Sequence, residues 1–282
     1  MPITLSPLRY PGGKSKLKDS IGSLIRMNDM VGCTYTEPFA GGSAVALHLL
    51  FSEVVDRIII NDYDIAIYAF WYSVLNDTEE LCNLIRRTEV TMDEWYRQKE
   101  IQNNKNNPHN LLSLGFSTFF LNRTNRSGII KAGVMGGKDQ LGNYKMDCRY
   151  NKGDLVNKII KISAYRDRIG LYNMDTLDLI LNVIRVLPNN TFIFFDPPYY
   201  VKGQSLYVNF YKHQDHENLA NEISAIQDKK WIVSYDNVDE IKMMYNNFKN
   251  IEYDLSYTVQ DKYKGKEVMF FSNNLIPIKT IY

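Results

Sequence analysis

The first sixty residues contain a strand, a glycine turn, a helix and a second strand in close succession. Thr34 to Glu37 predicts a short strand that runs into a turn at Gly41-Gly42, and Ala44 to Phe51 predicts a buried helix. Arg57 to Asn61 contains three consecutive isoleucines, a β-branched run typical of a strand that is buried on both faces. Because such a βαβ unit joins parallel strands, the chain is predicted to form an α/β fold with a parallel sheet.

Strand patterns return in the second half of the chain. Four further strands are predicted, at Arg168–Tyr172, Thr191–Phe195, Lys230–Ser234 and Val268–Ser272. Between the strands Thr191–Phe195 and Lys230–Ser234, Asp215 is a candidate cap for a helix that runs from His216 to Ile226. These elements extend the predicted sheet and supply helices to cover it.

The middle of the chain has a different pattern, which predicts a second domain. Residues 65–121 show mainly helical periodicity, and five glycines follow between Gly128 and Gly142. We predict one α/β domain from residues 1–76 and 161–282, with a Rossmann-like, mostly parallel sheet and helices on both faces. An inserted, mainly helical domain with a basic loop or hairpin is predicted at residues 77–160.

Length and composition exclude several classes of protein. A chain of 282 residues can bury one core and a smaller inserted module. Basic residues interrupt the N-terminus early, and no stretch approaches the ~18 uninterrupted apolar residues of a membrane span. The three cysteines (Cys33, Cys82 and Cys148) are far apart, so neither a disulfide framework nor a zinc site is expected. A cytoplasmic protein without a metal is predicted.

Positive charge is concentrated in one segment, although the formal net charge is only +1. Between Arg123 and Lys152, seven basic residues stand against two acidic ones. A basic module on a slightly acidic body is typical of a site that binds phosphates in one place. A solvated basic loop without a partner would give the same charge pattern.

The tetrapeptide Asp196-Pro197-Pro198-Tyr199 follows directly after the apolar strand Phe192–Phe195. In open α/β sheets, ligands bind at the carboxyl ends of the strands, which is where this tetrapeptide lies. Prolines donate no N–H, so the Asp196 carboxylate and a nearby carbonyl form a rigid set of acceptors. Such a set suits an amino group with two hydrogens. A proline turn that merely ends a strand is the alternative.

A second motif, Glu37-Pro38-Phe39-Ala40-Gly41-Gly42-Ser43, forms the predicted glycine turn. Glycines let the backbone approach a ligand closely, and the helix that follows presents free N–H groups. Asp62 comes at the end of the next strand, where a carboxylate can accept hydrogen bonds from ribose hydroxyls.

In order and spacing, these motifs resemble the Dam-like class of adenine-N6 DNA methyltransferases over nearly the full length of the chain. The family's N-terminal motif corresponds to Arg9–Lys14, its cofactor loop to Glu37–Ser43 and its catalytic tetrapeptide to Asp196–Tyr199. Ser43 departs from the family pattern, since many relatives have glycine there, and Tyr10 stands where some have tryptophan.

The resemblance implies that the cofactor is S-adenosylmethionine. Residues expected to contact it are Tyr10, Lys14, Glu37, Phe39, Gly41, Asp62, Asp175 and Asp196. Asp175 is also a candidate for the N-cap of the helix that begins near Thr176. The catalytic residues are expected to be Asp196, Pro197, Pro198 and Tyr199.

The resemblance also implies a target-recognition region that contacts double-stranded DNA. Its segments correspond to Leu121–Asn125 and Cys148–Asn151. The candidates for DNA contact are Asn122, Arg123, Asn125, Arg126 and Arg149, although Asn122 and Asn125 are also suited to bracing a loop. An aromatic run is a candidate wall for a base pocket: Tyr199, Tyr200, Tyr207, Phe210 and Tyr211.

The predicted reaction is methyl transfer to adenine N6 after the base has left the helix, by direct displacement. Cytosine-C5 methylation is not expected, because none of the cysteines follows a proline in a suitable loop. Transfer to RNA, transfer to cytosine N4 and a catalytically silent DNA-binding paralogue remain alternatives. A monomer suffices for this chemistry, and a cognate restriction enzyme is one possible partner.

Overall fold

The structure is a computed structural model. It describes residues 4–9, 14–106, 110–201, 211–258 and 262–281, of which 255–258 and 262–264 are described by their backbone alone.

A seven-stranded sheet forms the centre of the described part of the chain. Its strands are β1 (Cys33–Glu37), β2 (Val55–Asn61), β3 (Ile169–Tyr172), β4 (Thr191–Phe195), β5 (Lys230–Asp236), β6 (Lys249–Thr258) and β7 (Lys262–Phe271). They lie in the order β3-β2-β1-β4-β5-β7-β6. Strands β1 to β5 are parallel, whereas β7 is antiparallel to both β5 and β6. The predicted Rossmann-like, mostly parallel sheet is confirmed.

The helices connect these strands and cover the sheet. In chain order they are α1 (Lys18–Met27), α2 (Ala44–Phe51), α3 (Ile65–Asn76), α4 (Thr78–Arg87), α5 (Met92–Asn103), α6 (Leu111–Thr124), α7 (Lys152–Ser163), α8 (Thr176–Asn182), α9 (His213–Ser224) and α10 (Asp239–Met244). Five of them, α3 to α7, follow one another between β2 and β3, as the helical periodicity predicts.

Strand β4 shows how the sheet is buried on both sides. Its residues alternate, with Phe192 and Phe194 in one hydrophobic cluster and Ile193 and Phe195 in another. Successive side chains of a strand point to opposite faces, so each cluster covers one face of the sheet. Phe119 and Tyr150, from the middle of the chain, belong to the first cluster. Residues 77–160 thus share a core with the sheet, and the domain boundaries at 77 and 160 stay a prediction.

The largest differences from the sequence prediction are the start of helix α9, the start of strand β7 and the presence of strand β6. Helix α9 begins at His213 rather than His216, and Asp215 lies in its first turn, where its carboxylate accepts from the Lys212 N–H at 2.8 Å. Strand β7 begins at Lys262, six residues before the predicted Val268, because it pairs along its whole length with β6. Strand β6 was not predicted, although Ile251, Tyr253, Leu255 and Tyr257 alternate with polar residues in the pattern of a half-buried strand.

Candidate active site

Hydrogen bonds fix the backbone of the loop between β1 and α2 at the carboxyl edge of the sheet. The Gly41 carbonyl accepts from the Trp71 indole N–H at 2.9 Å, and the Ala40 N–H donates to the Asn61 carbonyl at 2.8 Å. Gly41 and Ser43 both have left-handed backbone angles, with φ of 47° and 46°. Ser43 therefore occupies a left-handed backbone position that favours glycine.

Glu37 lies buried beneath this loop. Its Oε1 accepts from the Tyr35 hydroxyl at 3.1 Å and from the backbone N–H of Ala46, in the first turn of α2, at 3.0 Å. Burial raises the pKa of Glu37 to about 8 despite these bonds, and the charge of Asp196 contributes in the same direction.

Asp62 lies beside the loop at the end of β2. Its two oxygens accept from the backbone N–H groups of Gly41 and Asp64, both at 2.9 Å. Burial raises the pKa of Asp62 to about 7, although both hydrogen bonds and Lys105 lower it. Lys105 forms an ion pair of 2.5 Å with Asp64.

Asn61, the last residue of β2, joins the loops that follow β1 and β3. Its buried amide donates to the carbonyls of Pro38 and Met174 at 2.9 and 3.1 Å, and its oxygen accepts from the Met174 N–H at 2.9 Å. Asp175, which follows Met174, caps the N-terminus of α8, since its Oδ1 accepts from the Leu177 N–H at 2.9 Å. The capping role proposed for Asp175 is confirmed, and a cofactor contact stays a prediction.

Asp196 and Lys14 form a largely buried ion pair at the end of β4. The Lys14 Nζ lies 2.8 Å from Asp196 Oδ1, and its side chain is 3% exposed. The same ammonium donates to the Tyr199 hydroxyl at 2.9 Å. Burial raises the pKa of Asp196 to about 6; Lys14 opposes that shift and the charge of Glu267 adds to it. Lys14 thus contacts both Asp196 and Tyr199, and all three residues were named from the sequence.

Glu267 of β7 is the member of this cluster that sequence reasoning missed. Its Oε1 accepts from the Tyr199 hydroxyl at 2.7 Å and lies 3.5 Å from the Lys14 Nζ. Glutamate within a strand next to a basic stretch gives no motif, so only the antiparallel pairing of β7 with β5 brings Glu267 to the site.

The chain that leaves the tetrapeptide is fixed by Asp236, the last residue of β5. Its two carboxylate oxygens accept from the backbone N–H groups of Tyr200 and Val201 at 2.9 and 3.0 Å. The Tyr200 hydroxyl forms a further bond of 2.8 Å to His213 Nδ1. Asp236 carried no signal in the sequence, because its role depends on β4 and β5 being neighbours.

Three candidates for DNA contact are buried. Asn122, Arg123 and Asn125 are 1%, 8% and 0% exposed. Asn122 exchanges two bonds of 2.7 Å with the backbone of Arg9, and the Arg123 guanidinium donates to the Pro7 carbonyl. Asn125 accepts from the Trp95 indole at 2.6 Å. These side chains have no surface to offer DNA here, which goes against their predicted contact and favours the bracing role.

The remaining candidates have different surroundings. Arg126 is exposed and Arg149 is partly exposed, and the basic residues Lys131, Lys138 and Lys145 of the same segment are exposed. Phe39 packs edge-on against Tyr211 with ring centres 6.3 Å apart. Tyr10, Tyr207 and Phe210 lie outside the described residues.

The described residues contain neither a metal-binding cluster nor a membrane-spanning helix. No group of three or more His, Cys, Asp or Glu side chains is placed to hold a metal ion. None of the helices is both long and apolar enough to cross a membrane.

The family comparison bears directly on this site. The profile of the D12 class of N6 adenine-specific DNA methyltransferases matches residues 10–259. The chain belongs to this class. The match includes Lys14, the cofactor loop, Asp62 and the Asp196–Tyr199 tetrapeptide, so the resemblance inferred from the motifs is confirmed. A search of curated proteins finds no match.

Solved structures that resemble this D12 chain are distant from it in sequence. The rRNA methyltransferase aviRa of Streptomyces viridochromogenes is 12% identical, with a TM-score of 0.41, over 94% of this chain and 88% of its own. PH1948 of Pyrococcus horikoshii, a proposed RNA methyltransferase, is 8% identical, with a TM-score of 0.43, over 94% and 85%.

Proposed function

We propose that this D12 methyltransferase transfers a methyl group from S-adenosylmethionine to the N6 amino group of adenine, within a specific short sequence of double-stranded DNA. The observation that carries this proposal is the contact between Lys14, Asp196 and Tyr199 at the carboxyl edge of the sheet. Family membership supplies the reaction type, and the acceptors at the site suit an amino group.

The residues at the edge of the sheet fit this cofactor. Burial raises the pKa values of Glu37, Asp62 and Asp196, so the charged form of each carboxyl is costlier at this edge than in water. A ligand that carries positive charge and hydroxyl donors is therefore favoured. Asp62 would hold the ribose hydroxyls beside Gly41, and Lys14, Phe39 and Asp175 would line the rest of the site. Bound there, S-adenosylmethionine supplies an electrophilic methyl group.

Asp196 and the carbonyl of Pro197 would accept the two hydrogens of the adenine amino group. The N6 lone pair of free adenine is delocalised into the ring, so it is a poor nucleophile. Hydrogen bonds to two fixed acceptors favour a geometry in which the lone pair faces the methyl group. As N6 gains its methyl group it must lose a proton, and Asp196 can take that proton only as a carboxylate.

The target base must leave the DNA helix to reach Asp196, because a paired and stacked amino group is not accessible. Tyr199 would then stack on the base. Only 5% of Tyr199 is exposed and its hydroxyl is held from within by Lys14, so substrate binding must uncover one face of the ring.

Arg126 and Arg149 are the proposed contacts to DNA, together with the exposed lysines of the basic segment. Arginine pairs with guanine in the major groove, whereas lysine contacts to phosphate give affinity without sequence preference. The protein is proposed to act as a cytoplasmic monomer, and a cognate restriction enzyme is one partner that is compatible with this activity but not needed for it.

The proposal is tested by methyl transfer from labelled S-adenosylmethionine to unmethylated genomic DNA and, separately, to total RNA. Genomic DNA contains nearly every short site, so the target sequence need not be known. We expect label in N6-methyladenine from DNA, identified by mass spectrometry of the nucleosides. Asp196→Asn should abolish it. The matched control is Asp178→Asn, which changes an exposed aspartate on α8.

Each other outcome assigns a different function. Label in RNA or in N4-methylcytosine would replace the proposed substrate by that one. Absence of label in all nucleic acids, with the cofactor bound and DNA affinity that falls with salt, would identify a catalytically silent DNA-binding protein. Normal turnover by Asp196→Asn would refute the role of Asp196.

A further inference from the structure

Glu267 is a buried carboxylate with hydroxyl or ammonium partners on both oxygens. It is 1% exposed. Oε1 accepts from the Tyr199 hydroxyl at 2.7 Å and faces the Lys14 ammonium at 3.5 Å. Oε2 accepts from the Tyr253 hydroxyl at 2.6 Å and lies 3.2 Å from the Ser234 hydroxyl. Because a buried charge without partners is costly, these contacts hold Glu267 in one position.

The four partners come from separate parts of the chain. Ser234 lies on β5, Tyr253 on β6, Lys14 in the N-terminal segment and Tyr199 after β4. The Ser234 and Tyr253 hydroxyls are 2.7 Å apart, so the two hydroxyls and Oε2 all contact one another. The antiparallel end of the sheet thus fixes one side of the carboxylate and presents the other to the tetrapeptide.

We propose that Glu267 is a positioning residue for methyl transfer. It holds the Tyr199 hydroxyl and the Lys14 ammonium, and through them it sets the direction from which Lys14 faces Asp196. This inference rests on the proposed function for its effect on turnover, although the contacts themselves do not depend on it.

Glu267 also adds a negative charge next to Asp196. Charged and titratable groups reach Asp196 from every neighbouring element: Lys14 from the N-terminal segment, Tyr35 and Glu37 from β1, Tyr235 from β5 and Glu267 from β7. Of these, Lys14 favours the charged form of Asp196, whereas the charge of Glu267 opposes it. Removing that charge alone should therefore lower the pKa of Asp196.

The test is Glu267→Gln, which keeps the shape and one acceptor oxygen but removes the charge. At saturating cofactor and DNA, we expect kcat to fall about tenfold to a hundredfold, as when reacting groups are misplaced. KM for DNA should change little. The acidic limb of the pH–kcat profile should move down by about one pH unit, because a like charge has been removed.

The matched control is Glu252→Gln on the neighbouring strand β6. Glu252 is exposed and pairs with Lys242 at 2.6 Å, away from the site, so its profile should equal that of the wild type. A purely structural role for Glu267 would lower the melting temperature and the active fraction of Glu267→Gln, and would leave the acidic limb in place. That result would overturn the proposal.

A second measurement separates this inference from the proposed function. The pKa of Asp196 is followed by carbon-13 NMR of side-chain-labelled aspartate, with Asp196→Asn to identify its signal. We expect a lower pKa in Glu267→Gln than in the wild type, even if no nucleic acid accepts a methyl group. An unchanged pKa would refute the placement of Glu267, while loss of methyl transfer in the wild type would refute only the proposed function.

Discussion

Replacing Lys14 by methionine should move the pH dependence of methyl transfer towards higher pH. The Lys14 ammonium lies 2.8 Å from Asp196 Oδ1, and an opposite charge at such a distance lowers a carboxyl pKa by about 1–3 units. Without it, the pKa of Asp196 should rise from about 6 to about 8, taking the middle of that range. Glu267, left without its cation, pushes the pKa in the same direction.

The size of the effect on turnover follows from the charged fraction of Asp196. At pH 7.5, a pKa of about 6 leaves about 97% of the carboxyl ionised, whereas a pKa of about 8 leaves about a quarter. Loss of charge alone should therefore reduce kcat about fourfold at pH 7.5. The deficit should shrink towards pH 9, where about nine-tenths of Asp196 is ionised again.

The assay is single-turnover methyl transfer between pH 5.5 and pH 9.5, with cofactor and DNA in excess so that weaker binding does not contribute. Lys158→Met is the control, since it removes a lysine from an ion pair of 2.9 Å on α7, away from the site. An acidic limb of Lys14→Met that coincides with that of the wild type, or lies below it, would refute the electrostatic reasoning. In the double variant Lys14→Met/Glu267→Gln, the limb should return part of the way.

Three further predictions concern the cofactor loop and the basic segment. Burial raises the pKa of Asp62 to about 7, so the carboxyl is about half protonated at pH 7, and ribose hydroxyls stabilise its charged form. Binding of S-adenosylhomocysteine at pH 7 should therefore release up to about half a proton per site in the wild type but not in Asp62→Asn. Equal calorimetric enthalpies in phosphate and Tris would contradict this. The folded protein holds the proton of Glu37 more tightly than the unfolded chain, so the stability of the wild type is lost as pH rises from 4.5 to about 8. The melting temperature of Glu37→Gln should therefore rise increasingly above that of the wild type over this interval. A difference between the two melting temperatures that does not change with pH would contradict the argument. Arg126→Ala removes an exposed arginine, so it should reduce the salt dependence of DNA binding by about one ion without changing stability. Arg123→Ala should instead lower the free energy of unfolding by about 1.5–3 kcal/mol, because the buried Arg123 guanidinium donates to the Pro7 carbonyl. The opposite pair of effects would show that the burial argument is wrong.

The sequence predicts the parallel half of the sheet well and its antiparallel end poorly. Thr191–Phe195 and Ala44–Phe51 coincide with observed elements, because their apolar runs are buried on all sides and bounded by turn residues. Strand β6 was missed although its residues alternate between apolar and polar, and although its partner β7 follows it directly in the chain. As a result, Glu267 and Tyr253 were not recognised as neighbours of Tyr199.

The residues of the candidate site were also predicted unevenly from the sequence. Lys14, Asp62 and Asp196 were identified because each belongs to a motif at the end of a predicted strand or in a turn. Glu267 and Asp236 act through strand neighbours that only the sheet order reveals, so no local pattern distinguishes them from surface carboxylates.

The buried Leu121–Asn125 segment connects the helical middle of the chain to the active site. Asn122 accepts from the Arg9 N–H and donates to the Arg9 carbonyl, both at 2.7 Å, and it also donates to the Gly128 carbonyl at 2.7 Å. The Arg123 guanidinium donates to the carbonyl of Pro7, which lies two residues before Arg9. Asn122 and Arg123 thus fix the backbone of Arg9 and Pro7, which precede Lys14 by a few residues in the sequence. The presence of this segment in the family pattern thus has a structural reason that needs no contact with a base.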